Sequence, residues 1–137
     1  GEVTSVEMSD DGRQLLTSSK DNSHRLWDMR MLRPLQRFKG HQNTSKNFIR
    51  CTFAHPSLIV SGSEDGLVYM WGQESSLALQ TLKGHGTDSH PAAATVGGRK
   101  QVVVYSAAWN KVQGLLASCA DDGTVRLWDW TPPHDAP

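Results

Sequence analysis

Three stretches of the chain repeat one pattern, and this repeat constrains the fold more than any other feature of the sequence. Each stretch passes from small strand-forming residues through an Asp in a turn to a short strand that ends in Trp: LLTSSKDNSHRLWD, LIVSGSEDGLVYMWG and LLASCADDGTVRLWD. Self-similarity of this kind predicts an array of similar units, each of which buries its apolar surface against its neighbours.

The spacing of the repeats identifies their type. Trp27 and Trp71 close the first two units and lie 44 residues apart, and Gly-His pairs begin at Gly40 and Gly84, again 44 residues apart. A Gly-His opening, a Trp-Asp close and a period of about 40 to 45 residues resemble the WD40 repeat family. The resemblance implies a β-propeller in which each repeat supplies one four-stranded blade.

The third unit is longer than the others. Trp71 and Trp128 lie 57 residues apart, and the surplus of 13 residues falls between His85 and Tyr105. Residues 86–100, GTDSHPAAATVGGRK, have no apolar periodicity and are typical of a mobile loop. This insertion is either a binding appendage or a tolerated surface loop. We favour the second interpretation because a longer loop costs little free energy.

Apolar alternation and turn residues predict all-β structure, with three four-stranded blades of which the last lacks its outer strand. The predicted strands are Val3–Met8, Gln14–Ser18, His24–Trp27 and Leu35–Phe38, then Phe48–Phe53, Leu58–Ser61, Leu67–Trp71 and Leu77–Leu82, then Val102–Trp109, Leu115–Ser118 and Thr124–Trp128. The prolines of the tail cannot donate to a sheet ladder, so the tail supplies no twelfth strand. The predicted boundaries are 1–39, 40–83 and 84–130 for the blades and 131–137 for the tail.

The open sides of such a segment predict further protein beside it. The chain begins inside a predicted inner strand, so we expect a truncated start and a parent propeller, which by analogy with the family has seven blades. Three blades leave two uncovered flanks, and exposed sheet edges favour pairing with other protein. We therefore expect the remaining blades of the parent, or another chain, to cover them.

The charge balance restricts the kinds of partner. Fourteen basic and 14 acidic residues leave no net charge, so the sequence has no electrostatic footprint for direct nucleic-acid binding or for an anionic membrane surface. No apolar run is long enough for membrane insertion. We expect an intracellular protein, cytoplasmic or nuclear, whose two cysteines, Cys51 and Cys119, are reduced thiols. A nucleic-acid-associated role through partner proteins stays open.

The resemblance also assigns a hydrogen-bonded tetrad of His, Ser or Thr, Asp and Trp to each blade. The matching residues are Thr17, Asp21 and Trp27 in the first blade, His41, Ser61, Asp65 and Trp71 in the second, and His85, Ser118, Asp122 and Trp128 in the third. A Ser, a His and an Asp in one unit also match a nucleophile triad, and hence a hydrolase-like activity. We favour the structural role because an active site occurs once in a domain, whereas this set recurs with the blade.

No metal or cofactor site is predicted. Cys51 and His55 share no helical face, and no second ligand pair accompanies them. His24 stands where the other blades have Val68 and Val125. Either it finds a polar partner at the blade interface or it is simply tolerated, and we favour tolerance because single polar residues in strands usually find a hydrogen bond.

The remaining surface favours protein partners. By resemblance, the partner-facing end of each blade exposes the residue before the turn Asp, together with residues of the inner strand. The predicted partner-binding residues are Lys20, Glu64, Asp121, Thr4, Ile49 and Tyr105. Their mixed charge and aromatic content suits a peptide or protein surface, so we predict a non-enzymatic scaffold that assembles a multiprotein complex.

One segment carries a narrower alternative. Leu15 to Arg30 resembles the box with which WD40 substrate receptors bind the adaptor of cullin-RING ubiquitin ligases, with Asp28 and Arg30 in the adaptor-binding places. His24 departs from the apolar residue usual in that box. The plainer interpretation, which we favour, is that Asp28 and Arg30 stabilise a turn and an exposed ion pair worth about 0 to 1 kcal/mol.

Overall fold

The computed structural model describes residues 1–44, 47–55, 57–86 and 102–130. Within these ranges the chain forms three antiparallel sheets, and the strands in each sheet follow chain order. The first blade consists of β1 (Val3–Met8), β2 (Gln14–Ser19), β3 (Ser23–Asp28) and β4 (Arg33–Phe38). The second consists of β5 (Cys51–Phe53), β6 (Leu58–Ser61), β7 (Leu67–Gly72) and β8 (Gln80–Lys83). The third consists of β9 (Val104–Asn110), β10 (Leu115–Ala120) and β11 (Val125–Asp129).

Short turns with local hydrogen bonds join neighbouring strands. Between β1 and β2, Asp11 Oδ1 accepts the hydroxyl of Ser9 at 2.7 Å and the backbone N–H of Arg13 at 3.0 Å. Gly12 takes the left-handed conformation that glycine tolerates, with φ of 71°. The Asp-Asp-Gly sequence therefore forms the predicted turn and sets the register of the hairpin.

The second blade lies between the other two, and strand alternation divides its side chains between two cores. Ile59, Tyr69 and Trp71 pack against the first blade, where they meet Leu16, Leu26 and Phe38. Val60, Val68 and Met70 point the other way and join Val104, Ala107 and Leu116 of the third blade. Because both faces of this sheet are covered, all four residues of β6 are buried.

The first strands of the blades are neighbours. β5 contacts both β1 and β9, so the three inner strands lie side by side. The backbones of the second and third blades come very close at Gly62, where an added Cβ atom would stand 2.0 Å from the carbonyl oxygen of Val104. The residues described thus form a three-bladed segment of a β-propeller, and the predicted fold class is confirmed.

Five predicted strand boundaries are wrong by two or three residues. β4 begins at Arg33 rather than Leu35, and β10 ends at Ala120 rather than Ser118. β5 begins at Cys51 rather than Phe48, and Phe48 is exposed. β8 begins at Gln80 rather than Leu77, because residues 73–79 form a loop that starts with a turn, the N–H of Ser75 donating to the carbonyl of Gly72. β9 begins at Val104 because the N–H of Val103 is satisfied by the carboxylate of Asp121 at 2.9 Å instead of by a strand ladder.

Two predicted features fall outside the described residues. These are the greater part of the insertion, residues 87–100, and the tail 131–137. The third blade has three strands within the described ranges, and its last strand, β11, leaves Val125 and Leu127 about 70% exposed.

Candidate functional site

The four tetrad residues of the third blade form one hydrogen-bonded chain. Trp128 Nε1–H donates to Ser118 Oγ at 2.9 Å, and Ser118 Oγ lies 2.8 Å from His85 Nε2. His85 Nδ1 lies 3.2 Å from Asp122 Oδ2. Because an indole only donates and a carboxylate only accepts, a neutral His85 with its proton on Nδ1 satisfies every group in the chain.

Asp122 is the most heavily used acceptor of this network. Besides His85, it accepts the backbone N–H of Gly86 at 2.9 Å and both the N–H and the hydroxyl of Thr124 at 3.0 and 2.7 Å. Burial opposes ionisation, but the hydrogen bonds from Thr124, Gly86 and His85 outweigh it and hold the pKa of Asp122 well below its usual value. The carboxylate therefore ties the Gly-His segment before the third blade to the turn after β10.

The order of contacts from Ser118 through His85 to Asp122 matches a nucleophile triad, yet the serine is enclosed. Ser118 and His85 are buried, and one lone pair of Ser118 Oγ accepts the Trp128 indole. A substrate carbonyl cannot reach Ser118 Oγ without displacing core side chains. In this fold the three residues act as a structural network, not as an accessible nucleophile.

The second blade does not form the predicted tetrad. Ser61 Oγ lies 2.8 Å from His24 Nε2, a residue of the first blade, rather than beside His41. The ring of His41 stacks on the ring of His24, with centroids 3.9 Å apart and planes within 9°. Neither nitrogen of His41 has a hydrogen-bond partner in the part of the chain that the structure describes, and the same holds for His24 Nδ1.

The other two residues of this set also have different partners. Asp65 Oδ2 accepts the hydroxyl of Tyr69 at 2.6 Å, and Trp71 Nε1–H donates to the backbone carbonyl of Lys39 at 2.9 Å. The physical reason is position 24. His24 is fully buried on the face of the first blade that meets the second. Its ring is hydrogen-bonded to the hydroxyl of Ser61, which His41 was predicted to bind. Tolerance was thus the wrong interpretation of His24, which has a polar partner at the blade interface.

Burial makes this histidine pair hard to protonate. Desolvation lowers the pKa of His41 to about 4, against the opposing pull of Asp65, Asp21 and Glu64. Desolvation, with the nearby His41, also lowers the pKa of His24 well below its usual value. Both rings are therefore neutral at physiological pH. Burial together with the bond to Asp65 raises the pKa of Tyr69, so its hydroxyl remains a donor.

The first blade brings two of its three predicted residues together. Trp27 Nε1–H donates to Thr17 Oγ1 at 2.9 Å. Asp21 instead accepts the hydroxyl of Ser23 and stands 3.6 Å from Arg25. Burial opposes ionisation of Asp21, but the Ser23 bond and the nearby arginines lower its pKa overall. Thr17 and Trp27 lie on the face turned away from the second blade.

Four of the six predicted partner-binding residues reach the surface, at the end of the blades where the inner strands begin. Lys20 pairs with Glu2 at 2.9 Å, and its ammonium group stands 5.1 Å from the centre of the exposed ring of Phe48. Asp121 is exposed, while Thr4 and Tyr105 are half-buried. We call Lys20, Phe48, Tyr105 and Asp121 the upper surface.

The other two predicted partner-binding residues are buried and cannot contact a partner. Ile49 is fully buried and Glu64 is 7% exposed. The main chain at both residues is also bonded to neighbouring segments: Thr4 Oγ1 donates to the carbonyl of Ile49 at 3.4 Å, and the N–H of Glu64 donates to the carbonyl of Gln42 at 3.0 Å. Their placement on a contact surface was therefore wrong.

Of the two candidate adaptor-binding residues, Asp28 ends β3 and Arg30 lies in the turn between β3 and β4. Asp28 Oδ1 accepts the backbone N–H groups of Arg30 and Met31 at 2.8 and 3.0 Å, and these bonds lower its pKa. The side chain of Arg30 is exposed and forms no ion pair with the residues described. Asp28 thus shapes the turn, and Arg30 points away from the blade.

The cysteines and the remaining histidine of the described residues do not form a further site. Both cysteines are free thiols, and burial raises the pKa of Cys51 to about 12. His55 stacks on Trp130 with ring centroids 5.8 Å apart. Across the described ranges no three His, Cys, Asp or Glu side chains cluster in a way that would hold a metal ion, and no helix is long and apolar enough to cross a bilayer. His90 and His134 lie outside the described residues.

The pattern of repeats has a direct match among known families. The family model "WD domain, G-beta repeat" matches residues 1–28, 32–72 and 92–129. The chain belongs to the WD40 repeat family. Its repeats therefore correspond to the three blades that the structure contains.

Individual relatives agree with this assignment. The chain is 34% identical over 137 residues to the WD repeat-containing protein WDS homolog of Arabidopsis thaliana, covering 96% of this chain and 23% of that protein. It is 31% identical over 128 residues to GID complex subunit 7 of Schizosaccharomyces pombe, covering 92% and 22%. The chain thus spans about a fifth of the length of the curated relatives that it matches.

A solved structure shows the same fold. The crystal structure of the computationally designed Ika4 protein superimposes with a TM-score of 0.67 at 24% identity, over 94% of this chain and 66% of the designed one. At this identity the likeness concerns the fold alone.

Sequence reasoning misinterpreted one residue of these sites, His24, and missed two others, Asn43 and Phe48. His24 had a signal, because it replaces a valine, but nothing in the sequence named Ser61 as its partner. Asn43 is fully buried, and it joins the Gly-His segment to the first blade through the carbonyl of Ser19 at 3.0 Å. Phe48 was assigned to a strand, and only the late start of β5 leaves its ring exposed.

Proposed function

We propose that this chain is a non-enzymatic part of a protein-interaction scaffold that assembles a multiprotein complex. The observation that carries the proposal is how the polar residues are used. Apart from His41, whose ring stacks on His24, the recurring Ser, Thr, Asp, His and Trp side chains form hydrogen bonds with other side chains or with backbone inside and between the blades. These polar groups therefore stabilise the fold. WD40 proteins bind protein partners, and one relative, GID complex subunit 7, is named as a subunit of a complex.

The upper surface is the proposed place of contact. It offers the ring of Phe48, the cation of Lys20 and the carboxylate of Asp121, a mixture that suits a peptide or protein better than a polyanion. Aromatic and charged groups side by side are typical of the few residues that dominate a binding energy.

Affinity purification with mass spectrometry tests this proposal. The full chain and a variant that combines Phe48→Ala with Lys20→Glu would be expressed as baits in the same cells. Glu74→Gln is a matched control, because Glu74 is exposed in the loop after β7, away from the upper surface. We expect the upper-surface variant to lose reproducible partners that the control retains. Baits that purify alone, or the same partners for all three, would contradict the proposal.

Coverage of the open blade faces is part of the proposed function. Val6 and Met8 of the first blade and Val125 and Leu127 of the third are exposed by half or more. We propose that further blades or another chain cover these apolar groups, since burial of such surface is favourable. Light scattering after size-exclusion chromatography should show association of the isolated chain, reduced by Leu127→Lys. A compact, stable monomer would contradict this.

A ubiquitin-ligase substrate receptor is the second candidate function. It is favoured by the exposed guanidinium of Arg30 at the end of the Trp-Asp-Met-Arg segment, held outward by the turn that Asp28 forms. Arg30→Ala should remove cullin and adaptor peptides from the purified complex and leave thermal stability unchanged. Arg13→Ala, an exposed arginine in the turn after β1, is the control. Capture that is unaltered by Arg30→Ala would reject the ligase role.

A further inference from the structure

A groove crosses the end of the blades opposite to the upper surface. It encloses about 610 Å³ where the inner strands β1, β5 and β9 end, and it touches all three blades. Its walls include Met8 and Glu7 from the first blade, Phe53 and His55 from the second, and Trp109 from the third. We call it the lower groove. Sequence reasoning did not single out this end of the molecule.

The charges along the lower groove are mostly negative. Glu7, Asp10 and Asp11 line it, and Lys111 is the one lysine or arginine among its described lining residues. The ammonium group of Lys111 lies 3.0 Å from Asp10 Oδ2, so that cation is already paired. Glu7 accepts the hydroxyl of Thr52 at 3.1 Å and remains half-buried, facing the groove. The walls therefore favour positively charged ligands and repel phosphates.

Aromatic groups at one end of the groove give a second, independent indication of a cationic ligand. Trp109 borders both the lower groove and a smaller cleft of about 110 Å³ between the second and third blades. This cleft is also lined by Trp128, Trp130 and the exposed Asp129. His55 adds a ring edge-on to Trp109, with centroids 6.5 Å apart. Faces of Trp attract ammonium and guanidinium groups, and a neighbouring carboxylate adds to the attraction.

We propose that the lower groove binds an extended peptide segment with positively charged side chains, one of which enters the tryptophan-lined cleft. A peptide fits better than a small cation because the groove spans three blades, with its carboxylates on the first blade and its aromatic and apolar walls mainly on the second and third. This inference rests on the proposed function, in that the partner is a protein. It adds the chemistry of the partner and a second contact surface.

Fluorescence anisotropy with defined peptides tests the proposal. The probe is a fluorescein-labelled peptide with four Gly-Arg-Leu repeats, and the comparison peptide has Glu in place of each Arg. The full chain should bind the arginine peptide at low salt, bind the glutamate peptide at least tenfold more weakly, and lose affinity as salt rises. Equal binding of both peptides, or no binding of the arginine peptide at millimolar protein, would overturn the proposal.

Variants of the groove sharpen this test. Glu7→Gln combined with Asp10→Asn should weaken binding by about fivefold for each carboxylate, whereas Glu74→Gln outside the groove should leave it within about twofold. Lys111→Ala should tighten binding, because it frees Asp10 and removes a competing cation. Thermal melts check that each variant is folded. A tightened complex for Lys111→Ala is a result that misfolding cannot produce, and unchanged affinity in all three variants would place the peptide elsewhere.

The outcome separates the two proposals. If the arginine peptide fails to bind while purified complexes still depend on the upper surface, the lower-groove proposal is wrong and the scaffold function stands. If the baits purify alone while the peptide binds with the predicted variant pattern, the scaffold proposal fails and the groove remains.

Discussion

The two interfaces between blades are built from the same repeat and yet are held together differently. Between the second and third blades, His85, Ser118, Asp122 and Trp128 form one continuous network. Between the first and second blades, His41 stacks on His24 without a hydrogen bond among the described residues. The repeat motif therefore does not by itself determine which hydrogen bonds form.

A single position explains much of the difference. The strand register places His24, Val68 and Val125 at equivalent sites. His24 lies opposite Ser18 and Val125 opposite Cys119, and Val68 precedes Tyr69, which lies opposite Ser61. At the second interface Val68 is apolar and leaves Ser118 to His85. At the first interface His24 binds Ser61 of the second blade, and His41 is left without that hydrogen-bond partner.

The backbones also approach to different degrees at the two interfaces. Gly62 of the second blade touches the backbone of β9, whereas Ser18 holds the same place in the first blade and donates to Cys51 Sγ at 3.0 Å. The second–third interface thus tolerates no side chain where the first–second interface uses one. The second–third interface depends on close packing and a continuous hydrogen-bonded network. The first–second interface depends on ring stacking, the hydrogen bond between His24 and Ser61, and a serine–thiol contact.

The largest expected effect is at the close approach. Gly62→Ala would place a methyl group 2.0 Å from the carbonyl oxygen of Val104 and 2.6 Å from its carbon, so the third blade must shift. We expect the free energy of unfolding to fall by about 4 kcal/mol or more. Urea denaturation of the original protein and of the variant measures this difference in the free energy of unfolding. Ser18→Ala, at the equivalent place, should cost about 1 kcal/mol, and equal losses would remove this distinction between the interfaces.

Acid should weaken the first–second interface before the second–third. The folded-state pKa of His41 lies near 4, below the ordinary 6.5, so the unfolded chain binds more protons between these values. The stability is complete above pH 6.5 and falls as the pH drops toward 4, by on the order of 3 kcal/mol. Asp122, whose pKa is lowered, loses its contribution only below its ordinary value of 3.8.

Urea titrations at several pH values would check this separation. His41→Phe keeps a ring for stacking and should flatten the slope of stability against pH between 6.5 and 4. His55→Phe removes an exposed histidine and should leave the slope in place. A slope that is the same in all three proteins would mean that the buried pair is not its source.

Loss of a turn carboxylate should cost more in the third blade than in the second. Asp122 accepts hydrogen bonds from His85, Gly86 and Thr124, whereas Asp65 accepts those of Tyr69 and Leu67. We expect Asp122→Ala to lower the free energy of unfolding by about 2 to 3 kcal/mol and Asp65→Ala by about 1 to 2 kcal/mol. Calorimetric melts give the ranking, and the reverse order would show that the two networks are misassigned.

Sequence periodicity predicted most of the fold. The inner strand Val3–Met8 and the strand Leu58–Ser61 have the predicted bounds, because apolar alternation and turn residues act locally. The starts of β5, β8 and β9 were wrong because each depends on contacts from elsewhere in the chain, such as the carboxylate of Asp121 that binds the N–H of Val103. The local sequence pattern does not reveal contacts between residues that are far apart in the chain.

The sites were less predictable than the fold. The tetrad geometry of the third blade needs only that its four residues take the positions usual in the repeat. That of the second blade depends on His24, which lies 37 residues before Ser61 and belongs to another blade. The lower groove had no sequence signal, because its acidic and aromatic residues come from the ends of three inner strands and the turns after them, which meet only when those strands lie side by side.

The smallest expected effect on stability tests the explanation most directly. His24→Val gives the first blade the residue found at the equivalent place in the other two. It removes the bond to Ser61 but also a buried nitrogen that has no partner among the described residues, so the free energy of unfolding at pH 7 should change by less than about 1 kcal/mol. With Ser61 free, His41 can turn to it as His85 does to Ser118. A double-mutant cycle between positions 41 and 61 should therefore give a coupling energy near zero in the original protein and about 1 kcal/mol in the His24→Val background. Coupling that stays near zero in both backgrounds would mean that something other than His24 keeps His41 away from Ser61.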